Sequence, residues 1–279
     1  MEPKSISLKL QSGENIFAWY VNPPTTPRAV ICLCHGWGEH SLRYKEWADR
    51  FVSEEYAFVA WDHFGHGQSE GKRGHIPNYS VFMEEINLAI GKANQLFPGT
   101  PVVLYGHSMG GNIAINFALR ESIHIKLLIA TSPWIELANE PSSIMGALVR
   151  VLNRIAPGLQ ITAPLNADGI CHVKEEVEHY KTDPLNHSKI TPRLLTEISK
   201  GGKSAVENIG EFSKPFLLLH GDADPITSYS ASKELLKNCS TCSFVPFKDM
   251  YHELHNEHIK SEVFNVIKQW LTGNLDDLK

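Results

Sequence analysis

Gly106-His107-Ser108-Met109-Gly110-Gly111 decides the fold of this chain, because it places a serine between glycines in the pattern G-x-S-x-G. An apolar, β-branched run at 101–105 precedes it and predicts a buried strand. An alanine-rich apolar run at 112–119 follows it and predicts a helix packed on a sheet. A sharp turn between the two exposes the hydroxyl of Ser108, and it requires the small residues that flank it. The stretch therefore predicts a nucleophilic serine at a strand-to-helix turn.

Strand and helix patterns alternate on both sides of this stretch. The predicted strands are 6–10, 16–21, 29–34, 57–61, 101–105, 125–130, 215–220 and 243–247, and the predicted helices are 42–52, 79–97, 112–119, 229–237 and 257–271. The first two strands are expected to form a hairpin. The alternation predicts an α/β protein, with a mostly parallel central sheet covered by helices on both faces.

Residues 134–213 interrupt this alternation. They contain no apolar strand run, and helical patterns separated by prolines take its place. We therefore predict a core made of residues 1–133 and 214–279, with residues 134–213 inserted as a helical cap, or lid. The cap is expected above the carboxyl edge of the sheet, where ligands bind in such folds.

One helix of the predicted cap, at 144–155, is amphipathic. The pattern places on its apolar face Ile144, Met145, Leu148, Val149, Leu152 and Ile155, and it turns away Arg150, Asn153 and Arg154. Such a helix either packs on the body of the protein or lies on a membrane surface and lines an acyl channel. The second interpretation predicts a transient contact between the cap and a membrane.

Composition excludes several classes of protein. The chain has 279 residues, of which 42% are hydrophobic, and a net charge of -5. Without a basic run or zinc-finger spacing, no nucleic-acid partner is expected. No stretch approaches the roughly 18 consecutive apolar residues of a membrane span, and the N-terminus lacks the apolar segment of a signal peptide. We expect a cytoplasmic protein, peripheral to a membrane only through its cap; the sequence predicts no oligomeric state.

A serine nucleophile requires a base and an orienting acid, and this architecture orders them as Ser, Asp or Glu, then His. His252 follows the last predicted strand and is the predicted base. Asp222 and Asp224 both follow the strand at 215–220, and the spacing does not choose between them. Asp249 is a less favoured third candidate.

Two backbone N–H groups are expected to bind the oxyanion of the tetrahedral intermediate. Met109 follows the predicted nucleophile, and Trp37 lies between two glycines in the turn after the third strand. The run His252-Glu253-Leu254-His255 differs from the zinc pattern H-E-x-x-H, because its histidines are three rather than four residues apart. No metal and no cofactor are therefore expected.

Several stretches together resemble the monoacylglycerol lipases, a family of α/β-hydrolases. They are His35-Gly36-x-Gly38-Glu39-His40-Ser41-x-Arg43-Tyr44, Gly65-His66-Gly67-x-Ser69-x-Gly71, the stretch around Ser108, Tyr180-x-x-Asp183-Pro184-Leu185, Ala223-Asp224 and Tyr251-His252-x-x-His255. The resemblance covers nearly the whole chain. It implies the α/β-hydrolase fold and a lipid ester as substrate. The implied reaction is hydrolysis of a monoacylglycerol to glycerol and fatty acid through an acyl-serine intermediate.

The resemblance also implies residue roles. Ser108 matches the nucleophile, His252 the base and Asp224 the acid, which chooses between the two aspartates. Trp37 and Met109 match the oxyanion positions. The polar residues that match the glycerol end of the substrate are Glu39, Arg43, Tyr180 and His255. Trp37 departs from the small residue of mammalian members, and its bulk is expected to alter the acyl or glycerol pocket.

Two other functions stay open at this point. A lysophospholipase or a broad carboxylesterase would use the same machinery, although Glu39, Arg43 and His255 suit a small polyol better than a bulky phosphate. A non-catalytic α/β-hydrolase that binds a ligand is the alternative outside enzymes. The presence of Ser108, Asp224 and His252 together argues against it.

Overall fold

The computed structural model describes residues 1–121, 124–163 and 166–276. Its strands are β1 (Lys4–Lys9), β2 (Asn15–Val21), β3 (Val30–Cys34), β4 (Ala57–Trp61), β5 (Val102–His107), β6 (Leu127–Thr131), β7 (Ile161–Thr162), β8 (Lys189–Ile190), β9 (Phe216–Gly221) and β10 (Cys242–Phe247). Its α-helices are α1 (Lys45–Ser53), α2 (Ser80–Leu96), α3 (Met109–Glu121), α4 (Ser143–Ile155), α5 (Lys174–Thr182), α6 (Pro192–Asn208), α7 (Tyr229–Leu236) and α8 (Lys260–Asp276).

Eight strands form one sheet in the order β1-β2-β4-β3-β5-β6-β9-β10. The hairpin of β1 and β2 is antiparallel, and β2 pairs antiparallel with β4. Within this sheet, the pairings that join β4, β3, β5, β6, β9 and β10 in that order are all parallel. This topology confirms the predicted mostly parallel sheet. It also brings the carboxyl ends of β3, β5, β9 and β10 to one edge, where the loops that carry the candidate site residues begin.

Helices cover both faces of the sheet, and the central strands alternate between two apolar layers. In β3, Val30 and Cys32 face one layer, whereas Ile31 and Leu33 face the other. The first layer includes side chains of α2, α3 and α6, and the second includes side chains of α1 and α8. Strands buried on both faces must be apolar throughout, which explains the uninterrupted apolar runs in the sequence.

Residues 134–213 contain α4, α5 and α6, and the described part of this range, 134–163 and 166–213, adds no strand to the large sheet. The segment, predicted as a helical cap without an apolar strand run, also contains a separate two-stranded ribbon, in which β7 and β8 pair antiparallel. Strands of two residues are too short to produce an apolar run. The segment is anchored on α3, where the amide of Asn112 donates to the carbonyls of Trp134 and Ile198 at 2.7 and 3.0 Å.

The faces of α4 differ from the predicted ones. No side chain of this helix is buried. Its exposed apolar side chains, with exposed fractions of 82, 49, 48, 53 and 74%, are those of Ile144, Met145, Leu148, Val151 and Ile155. Val149, Leu152 and Asn153 are half-buried, because α4 packs against α6. The predicted face left out Val151. Because each residue of a helix turns 100° from the one before, Val151 lies on the same side as Leu148 and Ile155 and is exposed with them.

Candidate active site

Ser108 lies at a sharp turn between β5, which ends at His107, and α3, which begins at Met109. Its φ of 54° is left-handed, a strained conformation for a residue with a side chain. The neighbouring chains approach so closely that a Cβ on Gly106 would lie 2.3 Å from the carbonyl oxygen of Gly110. Glycine at these positions is therefore a steric requirement of the turn.

Asp224 is the aspartate that the fold brings to His252. Oδ2 of Asp224 lies 2.7 Å from Nδ1 of His252, and Oδ1 accepts two backbone N–H groups at 2.7 and 3.1 Å. Asp222 is exposed, and its carboxylate accepts the N–H of Asp249 at 2.6 Å. The structure therefore distinguishes two residues that sequence spacing alone could not.

Two further side chains hold Asp224, and neither was predicted from the sequence to do so. Nε2 of His220 lies 3.0 Å from Oδ2, and Oγ1 of Thr227 lies 2.8 Å from the same oxygen. Nδ1 of His220 is in turn 2.8 Å from the hydroxyl of Ser232. All of these groups are buried. The one signal for His220 in the sequence is its position at the end of a buried strand, four residues before Asp224.

This network sets the charges of the pair. Burial opposes ionisation of Asp224, but the attraction of His252 and hydrogen bonds from His220 and His252 hold the pKa of Asp224 well below its usual range. Burial would lower the pKa of His252, but the charge of Asp224 outweighs it and raises that pKa above its ordinary value. The pair thus favours an ionised carboxylate beside an imidazole that binds a proton readily.

Both residues predicted to bind the oxyanion border Ser108. Met109 is the first residue of α3, so its backbone N–H belongs to the helix N-terminus, where the helix dipole favours negative charge. Trp37 follows Gly36, whose Cβ, if present, would lie 3.2 Å from Cβ of Ser108. The indole N–H of Trp37 donates to the carbonyl of Lys189 in β8 at 3.0 Å, so the bulky side chain is turned towards residues 134–213.

A cavity of about 300 Å³ adjoins Ser108 and His252. Its volume is at the small end of the range for ligand pockets. Its apolar lining consists of Trp37, Trp134, Leu137, Pro141, Ala163, Ile190, Leu195, Pro225 and Ile226. Polar side chains also line it, among them Glu39, Tyr180 and Glu253. Most of the apolar lining comes from residues 134–213, so this segment encloses the space beside the serine.

The polar lining is held by a buried ion cluster. Arg43 donates from both terminal nitrogens to the carboxylate of Glu253, at 2.8 Å each, and also to the carboxylate of Glu39. Its guanidinium lies 4.8 Å from the centre of the Tyr180 ring. Burial raises the pKa of Glu253, but Arg43 more than compensates and holds it well below the usual range. For Glu39, burial is the larger effect, and its pKa is raised.

The four residues predicted for the polar end of the substrate divide into two groups. Glu39 and Tyr180 line the cavity, whereas Arg43 and His255 are not among its described lining residues and lie behind them. His255 stacks on Tyr44 with ring centres 4.5 Å apart, and burial lowers its pKa to about 3. Glu253 was missed as a lining residue, and its only signal is its position next to His252.

These features define a class of protein. A serine lies on a strained strand-to-helix turn, a buried Asp–His pair follows the last two strands of the large sheet, and an apolar cavity adjoins them. All three lie at the carboxyl edge of a mostly parallel sheet. This combination defines a serine hydrolase with the α/β-hydrolase fold.

Comparison with known proteins agrees with this class and specifies the family. A family model described as serine aminopeptidase, S33, matches residues 25–259. The chain is 33% identical to human monoglyceride lipase over 272 residues, covering 93% of this chain and 88% of that one. It is 30% identical to monoacylglycerol lipase of Mycolicibacterium smegmatis over 256 residues, covering 91% of each.

A crystal structure of the monoacylglycerol lipase of Paleococcus ferrophilus matches with a TM-score of 0.83 and 29% identity, over 98% of this chain and 100% of that one. The chain therefore belongs to the monoacylglycerol lipase family of α/β-hydrolases, and it is an ester hydrolase. In the described part of the chain, no helix is both long and apolar enough to cross a membrane.

Proposed function

We propose that this protein hydrolyses monoacylglycerols to glycerol and free fatty acid, with Ser108, Asp224 and His252 as catalytic residues. The observation that carries the proposal is the composition of the cavity beside Ser108. An apolar lining suits an acyl chain, and the cluster around Glu39, Tyr180 and Glu253 suits a small group rich in hydroxyls. A monoacylglycerol has one of each, joined by the ester to be cleaved.

The reaction begins when Oγ of Ser108 attacks the ester carbonyl and His252 accepts its proton. The charge of Asp224 stabilises the imidazolium and keeps its Nδ1 proton in place. The backbone N–H groups of Trp37 and Met109 bind the oxyanion of the tetrahedral intermediate. His252 then protonates the glycerol oxygen, which leaves with its hydroxyl groups beside the polar lining. Water attacks the acyl-serine by the same route in reverse, and fatty acid is released.

The charges of the polar cluster favour a neutral leaving group. The guanidinium of Arg43 is already engaged by Glu39 and Glu253, so it offers little to an incoming phosphate. With one guanidinium shared between two carboxyl groups, the cluster has no free positive charge for an anionic head group, whereas its carboxyl oxygens accept hydrogen bonds from hydroxyls. This is the argument for monoacylglycerols over lysophospholipids.

The test is release of fatty acid from mono-, di- and triacylglycerols, a lysophospholipid and a short soluble ester, with the Ser108→Ala variant as the blank. We expect a strong preference for monoacylglycerols and no turnover by the variant. A preference for the lysophospholipid or for the short ester would replace the proposed substrate and keep the chemistry. Turnover of more than a few per cent by folded Ser108→Ala would refute the assignment of the nucleophile.

Residues 134–213 are proposed to act as a cap that takes the acyl chain from a membrane surface. The support is the set of exposed apolar side chains on α4. Apolar residues on one exposed helical face bind to the boundary between lipid head groups and acyl chains. The bound protein would be peripheral to the membrane.

Vesicle co-sedimentation tests this contact with the double variant Leu148→Ser, Val151→Ser. We expect weaker binding to phosphatidylcholine vesicles and slower hydrolysis of vesicle-borne monoacylglycerol. Hydrolysis of a short soluble ester is the control and should stay at the level of the unmodified protein. Equal partition of both proteins would refute the membrane contact.

A further inference from the structure

One group of side chains outside the cavity brings together residues from two distant parts of the chain. His172 lies two residues before α5, in the predicted cap. Glu257 and His258 lie on the loop between β10 and α8, a few residues after His252. The side chain of Glu257 is fully buried, whereas those of His172 and His258 are 38 and 57% exposed.

The two oxygens of Glu257 have different surroundings. Oε1 lies 2.8 Å from Nδ1 of His172, and it also accepts the backbone N–H groups of Tyr251 and His172 at 3.1 and 3.3 Å. Oε2 is buried and has no hydrogen-bond partner among the described residues. Nδ1 of His258 lies 3.3 Å from it. A buried carboxylate oxygen without a partner is costly, so this arrangement favours a ligand that supplies positive charge.

Candidate ligand atoms of His172, Glu257 and His258 all lie within 4.8 Å of one another. Within the residues that the structure describes, this is the single group of three histidine, cysteine or acidic residues that meets such a limit. Two imidazole nitrogens and one carboxylate oxygen form the protein donor set of many three-ligand zinc sites. In a tetrahedral site with bonds of about 2.0–2.2 Å, ligand atoms lie about 3.3–3.6 Å apart. The exposed imidazoles can reach such positions by side-chain rotation.

We propose that His172, Glu257 and His258 bind a divalent transition-metal ion of the zinc type, with water in the remaining position. Oε2 of Glu257 provides the fixed ligand, and the two imidazoles close on the ion from the solvent side. The ring of Tyr251 stacks on His172 with centres 3.8 Å apart and orients that imidazole. The ion is not part of the catalytic machinery, because its ligands do not line the cavity.

An ion at this position would connect two segments that border the cavity. His172 precedes α5, which carries Tyr180, and Glu257 follows the loop of His252. Metal binding would therefore hold the base of the predicted cap against the loop of the catalytic histidine. Since the ion binds the folded chain and its ligands are far apart in the sequence, it would raise the temperature of unfolding.

The test uses full-length protein treated with a chelator and then titrated with Zn²⁺ in competition with a chromophoric chelator. We expect one saturable site and a rise in melting temperature with added Zn²⁺. His258→Ala should weaken binding by about tenfold or more, since even loss of an outer-shell partner typically costs 10–100-fold. Because His258 is more than half exposed, this variant should melt like the unmodified protein without metal.

His179→Ala is the matched control, since His179 is a 77% exposed histidine of α5 that lies outside the group. It should bind Zn²⁺ as the unmodified protein does. Equal affinity of the unmodified protein and His258→Ala would overturn the proposal, because the ion would then bind elsewhere, for example at the catalytic histidine. Failure of the unmodified protein to bind Zn²⁺ saturably would overturn it as well.

Discussion

Replacing Asp224 or Asp222 by asparagine, which exchanges one carboxylate oxygen for an NH₂ group, tests which of the two aspartates is the catalytic acid. In the unmodified protein, Oδ2 of Asp224 lies 2.7 Å from Nδ1 of His252. In Asp224→Asn, the amide oxygen can keep the backbone N–H groups that Oδ1 now accepts, which turns the amide NH₂ towards His252. Nδ1 of His252 must then accept a hydrogen bond, so its proton moves to Nε2. That tautomer cannot accept the proton of Ser108.

The expected loss is large for this variant and small for its partner. The same exchange in a serine protease lowers kcat about 10⁴-fold, which corresponds to about 5.4 kcal/mol of transition-state stabilisation. We expect a loss of that order in Asp224→Asn. The side chain of Asp222 is exposed and accepts one backbone N–H, which an amide oxygen can also accept. Asp222→Asn should therefore keep activity within about twofold, as surface substitutions typically do.

The assay is kcat/KM for a monoacylglycerol and for a short soluble ester, which tests the chemistry without dependence on the lipid. Circular dichroism and thermal unfolding of both variants show whether any loss reflects misfolding. Equal losses in the two variants, or a folded Asp224→Asn that keeps more than a tenth of the activity, would refute the assignment of the acid.

Three further predictions concern pH, charge and packing. Since the pKa of His252 is raised, a pH–rate profile should show kcat/KM falling with decreasing pH through an apparent pKa above the ordinary value of about 6.5. An apparent pKa below about 6 for this fall would contradict the prediction. Glu253→Gln breaks a buried ion pair with Arg43, so the free energy of unfolding in urea should fall by about 3 kcal/mol. Glu234→Gln breaks an exposed ion pair, and it should change that free energy by less than about 1 kcal/mol. Equal effects of the two substitutions would refute the argument from burial. Gly110→Ala places a Cβ 2.1 Å from the carbonyl oxygen of Cys34, so this variant should fail to fold or be inactive. Gly91→Ala adds a Cβ in open space on α2 and should raise the free energy of unfolding by about 0.5–1 kcal/mol in the same assay. A well-folded, active Gly110→Ala variant would contradict the steric argument.

The sequence predicted the class of fold because the relevant signals are local. Uninterrupted apolar runs arise where a strand is buried on both faces, and they alternate with helical patterns along the chain. The turn at Ser108 was equally readable, since the pattern of a serine between glycines is local and the close approach of Gly106 to Gly110 lies within one strand-to-helix turn. Element boundaries shifted by a few residues. β7 and β8 went unseen, because two-residue strands produce no pattern.

The face of α4 shows where periodicity alone is insufficient. The predicted apolar face combined Leu148, which is exposed, with Leu152, which is half-buried, and left out Val151. A hydrophobic pattern identifies an amphipathic helix, but a helix with apolar residues around much of its circumference can rest on its neighbour in more than one rotation. Contact with α6 fixes that rotation, and α6 is some 40 residues further along the chain.

The sequence by itself determined the order of the chemistry: a serine after one strand, acids after another and a histidine after the last. Each follows from the rule that side chains at the carboxyl ends of parallel strands meet at one edge. The tertiary structure alone decided which groups meet there. It placed Asp224, which the family resemblance had favoured over Asp222, against His252 and added His220 beside it, and it joined Arg43 to Glu253 across 210 positions. Such contacts depend on how whole elements pack, and no spacing within one segment records them.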